Sequence, residues 1–96
     1  MKVRFTKGAL REYDDVLSYI GARSRGGEQR VKRRIDALIR RLKRFPGIGT
    51  RTDDKGIRLL VAARFPYVVF YEIDLDAKEV VILHVRHGAR ERDFDE

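Results

Sequence analysis

The chain has no cysteine, which removes disulfide frameworks and thiolate metal sites and agrees with a reducing compartment. It has no run approaching the roughly 18 to 20 apolar residues of a membrane span, and Met1-Lys2-Val3-Arg4-Phe5 opens into mixed charge where a signal peptide would have an apolar core. A soluble, cytoplasmic protein without membrane contact is expected. Internal repeats, low-complexity tracts and linkers are also missing. At 96 residues, 43% of them apolar, residues 1–96 form a single domain with room for two layers of structure around one core.

The usual groups of enzyme chemistry are sparse. Ser18 falls inside an expected helix and Ser24 stands where a helix cap belongs, so neither is set up as a nucleophile. His84 and His87 are three apart on an expected strand and point to opposite faces. They cannot chelate one ion together unless the strand has ended by Arg86, and no third ligand is spaced to help. Neither metal nor cofactor is expected. His84 reads as a strand residue satisfied by its neighbours, and His87-Gly88 as the point where the chain leaves the sheet. Asp74 and Asp76 read as turn chemistry, because no apolar pocket surrounds them to raise a pKa. Gly26-Gly27 beside Arg25 fits a phosphate cradle at a helix start or simply a flexible helix start.

What the chain does have is positive charge in one place. Residues 23–44 carry ten Lys/Arg against two acidic residues, a local +8 in a chain of net +7. The rest of the molecule is therefore close to neutral. Such a strip steers polyanions, either nucleic acid or an acidic protein segment, or else it is a solvated helix face built from good helix formers.

The periodicities give an element order. Val3 and Phe5 alternate with Lys2 and Arg4 in a short first strand. Thr6 caps a first helix with Leu10, Tyr13, Val16 or Leu17, and Ile20 on one stripe, and Gly21 stops it. Ser24 precedes a second helix whose apolar stripe is Val31, Ile35, Leu38, Ile39, Leu42 and Phe45. Phe45-Pro46-Gly47-Ile48-Gly49 ends that helix, and Thr50 to Gly56 reads as a polar loop. The period then changes to two over Ile57–Ala63, Tyr67–Ile73 and Val80–Arg86, an antiparallel meander. The expected fold is α+β, in the order β-α-α-β-β-β, with a helical hairpin packed on a small antiparallel sheet. Tyr67, Phe70 and Tyr71 could stack on bases. Tyr67 and Tyr71 share a face with Val69 and Ile73, however, and core packing is the simpler reading.

Residues 57–73, above all the element PYVVFY, and the later run through His87-Gly88-Ala89-Arg90 resemble the ParE/RelE superfamily of type II toxin–antitoxin toxins. The short strand, the first helix ending in Tyr19-Ile20, the arginine-rich second helix and the FPGIG loop extend the likeness over nearly the whole chain. In the RelE branch the resemblance implies ribosome-dependent cleavage of messenger RNA, with Arg90 and His87 as the residues to carry it. The cations that branch places on its inner strands are replaced here by Leu59, Val61 and Val68, and the chain ends at Glu96 without the branch's tyrosine. Without cations to stabilise a pentacoordinate phosphate, that chemistry lacks its machinery. The pattern is similar to the ParE branch, which implies a non-enzymatic toxin of plasmid-stabilisation type that inhibits DNA gyrase and is neutralised by a ParD-like antitoxin in a hetero-oligomer. Arg58, Arg64, His87 and Arg90 are then the expected target contacts, with Arg58 alternatively paired to Glu72. Tyr13, Leu17, Ile20, Arg33, Arg34, Arg40 and Arg41 are the expected antitoxin contacts. Direct nucleic-acid binding stays open.

Overall fold

A computed structural model describes residues 1–62 and 64–88. The chain runs β1 (Lys2–Phe5), α1 (Lys7–Gly21), α2 (Arg25–Arg44), a 3-10 turn (Pro46–Ile48), β2 (Thr50–Arg51), β3 (Ile57–Val61), β4 (Tyr67–Asp74) and β5 (Glu79–His87). The sheet order is β1-β5-β4-β3-β2. β3, β4 and β5 form the expected antiparallel meander, and β1 lies parallel to β5 at one edge.

Both helices start where their caps predict. The Ala9 amide donates to Thr6 Oγ1 at 3.0 Å and the Gly27 amide to Ser24 Oγ at 3.0 Å, each satisfying a donor that the first helical turn leaves open. With only three residues between α1 and α2, the hairpin closes tightly. A Cβ on Gly27 would come within 3.1 Å of Ile20 Cγ2, so the glycine lets the two helices meet.

The hairpin buries Ala9, Tyr13, Val31, Ile35, Leu38 and Leu42 against one sheet face, which contributes Tyr67, Val69, Tyr71, Val80, Ile82 and Val85. Phe5 stacks on Tyr13 with ring centroids 5.6 Å apart. The aromatic strand residues Tyr67 and Tyr71 are thus core.

Several expectations need correction. Leu10 and Phe45 are half exposed, so the α1 stripe is led by Ala9, and Phe45 lies outside the core beneath the Arg44 guanidinium. Tyr13 is buried and not on the outer surface of the hairpin; Leu17 and Ile20 are partly buried beside it. The Thr50–Gly56 loop contains a strand, because Thr50 and Arg51 pair with Leu59 and Arg58. Finally, the β4–β5 register steps at Phe70/Tyr71: Phe70 faces His84 and Tyr71 faces Ile82, leaving Leu83 as an extra residue in β5. This bulge is why Val80, Ile82 and Val85, which do not strictly alternate, all reach the same core.

Candidate functional site

Among the described residues, three groups of polar side chains make contacts beyond core packing. The first is built around the FPGIG loop. Tyr71, fully buried, donates its hydroxyl hydrogen to the Pro46 carbonyl at 2.7 Å and accepts from the Gly49 amide at 2.8 Å. Arg58 donates to the carbonyls of Gly49 at 2.8 Å and Gly47 at 3.2 Å. Its alternative pairing with Glu72 is overturned by the register, which sets Ile57 opposite Glu72 and Arg58 opposite Tyr71, on the other face. Arg58 therefore fastens the loop to the sheet.

The second group lies beside the free half of β5. β1 pairs with β5 only over residues 79–82. Beyond it, Glu12 of α1 reaches the strand and accepts from the Val85 amide at 3.2 Å. The same carboxylate lies 3.2 Å from His84 Nδ1 and 3.5 Å from Arg86 Nε, and Arg86 also approaches His84 Nδ1 at 3.1 Å. His84 meets Phe70 edge-on, and His87 meets Tyr67 edge-on with its Nδ1 buried and without a protein partner. The two histidines stand on opposite faces of the strand, as their spacing requires. A carboxylate, an imidazole and a guanidinium in mutual contact can hold or move a proton and pair with an anion.

The third group was divided in the sequence reading and is united by the fold. Arg30, Arg33 and Arg34 of α2, with Ala37, face Arg64 and Phe65 of the β3–β4 turn across an open cleft of about 690 Å³. Arg33 and Arg34 were expected at an antitoxin surface and Arg64 at a target surface. Arg30 was not singled out, although its spacing to Arg33 and Arg34 places all three on one helix face. Arg40 and Arg41 are exposed further along α2. Arg90 lies outside the described residues.

The outer sheet face has a different character. β3 and β4 present Ile57, Leu59, Val61, Val68, Phe70 and Glu72 there without a cation of their own, and β5 sets His84 opposite Phe70 and Arg86 opposite Val68 on the same face. Among the described residues no group of three or more His, Cys, Asp or Glu side chains could hold a metal ion, and no helix is long and apolar enough to cross a membrane.

Comparison with known proteins places this geometry. Residues 3–92 match the family model of the ParE toxin of type II toxin–antitoxin systems, parDE. The toxin-like protein Y4kP of Sinorhizobium fredii is 31% identical over 83 residues, 86% of each chain. Two solved structures share the fold. A chain of the chromosomal ParDE toxin–antitoxin system from P. aeruginosa has a TM-score of 0.67 at 17% identity, covering 91% of this chain and 95% of its own. A YoeB/ParE toxin from Agrobacterium tumefaciens has a TM-score of 0.65 at 20% identity, covering 91% and 98%. With its helical hairpin on a five-stranded sheet and a match that spans nearly all of its length, the chain belongs to the ParE toxin family of type II toxin–antitoxin systems.

Proposed function

We propose that the protein is a non-enzymatic cytoplasmic toxin that inhibits DNA gyrase by binding and is neutralised by a ParD-like antitoxin. The observation that carries this reading is the apolar outer face of β3 and β4, where Leu59, Val61 and Val68 stand in place of cations. Cleavage of RNA develops negative charge on a phosphate, and the side chains of β3 and β4 on that face include no cation to stabilise it. Arg64, His87 and Arg90 are the proposed target contacts. Arg58 joins them as a target contact, and its hydrogen bonds to the FPGIG loop give it a structural role as well. The antitoxin is an amphipathic helix with acidic residues, anchored near Leu17 and Ile20 and steered by Arg33, Arg34, Arg40 and Arg41.

Induced expression in a bacterial host tests it. Filamentous cells, a DNA-damage response and inhibited supercoiling by purified gyrase are expected. Translation arrest within minutes on intact chromosomes would overturn it and favour the second reading, a ribosome-dependent endoribonuclease. The contact of Glu12, His84 and Arg86 is the one observation in that reading's favour. In that case His84→Ala would abolish the translation arrest while the protein remained folded.

A further inference from the structure

We propose that the arginine cleft between α2 and the β3–β4 turn seats a nucleic-acid phosphate, with α2 lying along the adjoining sugar–phosphate backbone. The inference does not depend on whether gyrase or the ribosome is the target.

Four of the residues that line the cleft are arginines, and none is acidic. Among the described residues none of the four arginines takes part in an ion pair. Arg30 and Arg34 are four apart on one helix, an arrangement of like charges that opposes helix formation. Arg34 Nε is buried without a protein acceptor, so no protein group competes for this guanidinium at that nitrogen. Arg64 has φ of 74°, a left-handed backbone that glycine or asparagine would adopt more readily. The turn thus holds an arginine where its backbone is strained, and its side chain lines the cleft. Guanidinium forks match the oxygens of phosphate two at a time, and Phe65 and Ala37 add apolar surface against which a sugar or base can lie.

The charge continues beyond the cleft. Arg25, Lys32, Arg40, Arg41, Lys43 and Arg44 are all exposed along the same 20-residue helix. At 1.5 Å per residue α2 is about 30 Å long, the length of about nine base pairs. Its two acidic residues are turned elsewhere: Asp36 is beside Tyr13 of α1, and the Glu28 carboxylate packs against Gly21. Charge of one sign along the helix fits a uniformly charged polymer, and within the cleft itself Phe65 and Ala37 are too small an apolar surface to anchor a peptide.

Fluorescence anisotropy of the full chain with a labelled 16-base-pair duplex, and separately with a labelled polyglutamate peptide, tests the proposal. The double variant Arg34→Gln, Arg64→Asn should weaken duplex binding at least ten-fold and flatten the logarithmic salt dependence by about two, one for each lost phosphate contact. The pair Lys2→Gln, Lys55→Gln removes the same charge from β1 and the β2–β3 loop and should change affinity less than three-fold. Arg64→Asn alone tolerates the left-handed backbone, so it should melt no lower than the parent and still lose part of the affinity. Equal losses in both double variants would show that the cleft is not the seat. Polyglutamate binding more tightly than the duplex would assign the surface to an acidic protein segment and overturn the proposal.

Discussion

At the scale of single residues, Tyr71 and Gly49 are the most constrained pair in the molecule. A Cβ on Gly49 would lie 2.6 Å from Tyr71 Oη and 2.9 Å from the Leu59 carbonyl, so Gly49→Ala must push the loop off the sheet. Tyr71→Phe leaves the Pro46 carbonyl and the Gly49 amide without their side-chain partner and should cost about 1–3 kcal/mol in denaturant unfolding. Tyr13 gives a pH signature. Burial first, and the nearby Asp36 charge second, hold its pKa well above the ordinary tyrosine value. The folded state therefore keeps a proton that the unfolded chain releases above about pH 10. Its contribution to stability is complete below that pH and declines as pH rises further. The stability difference between the parent and Tyr13→Phe should stay constant from neutral pH to about 10, and the parent should lose stability relative to the variant above it. The offset in the constant region reports the buried hydroxyl, since the ring itself is kept.

At the scale of elements, the hairpin depends on its caps and β5 on its guard. Ser24→Ala should cost about 1 kcal/mol, since the Gly27 amide loses its acceptor. Glu12→Ala opens the Val85 amide on the uncovered half of β5 and should cost about 1–3 kcal/mol. It should also raise the tendency to self-associate, measured by light scattering, because a bare strand edge invites pairing. The caps and stripes made α1 and α2 legible in the sequence, as Thr6 and Ser24 precede clear 3.6-residue periods. β2 was not legible, because two polar residues carry no period and owe their strand geometry to Leu59 and Arg58 opposite. The bulge at Leu83 was hidden for the opposite reason: in VVIL every residue is apolar, so the pattern does not show which one is extra. The arginine cleft escaped a linear reading because Arg34 and Arg64 are thirty positions apart, and only the β3–β4 turn brings them together.

At the scale of the whole molecule, charge is segregated: α2 is strongly basic while the outer face of β3 and β4 is apolar. Association with an acidic antitoxin should be fast and sensitive to salt. Arg40→Glu with Arg41→Glu, outside the cleft, should slow association about ten-fold at low ionic strength while changing dissociation less. Stopped-flow mixing at two salt concentrations checks this, and an unchanged rate would remove the steering role.

The pairing of β1 with β5 joins residues 2–5 to residues 79–82, and β5 stands between β1 and β4 in the sheet. During synthesis the first strand has no neighbour to pair with until β5 has emerged from the ribosome. The hairpin can form early, since α1 and α2 are consecutive, but it has no finished sheet to cover. Contacts of such long sequence separation fold slowly, so completion waits until residues 79–82 are available. A nascent chain stalled before residue 79 would therefore have neither a closed sheet nor a complete core. The edge that β1 adds to the sheet is thus a late feature of the fold, absent from every shorter stage of synthesis.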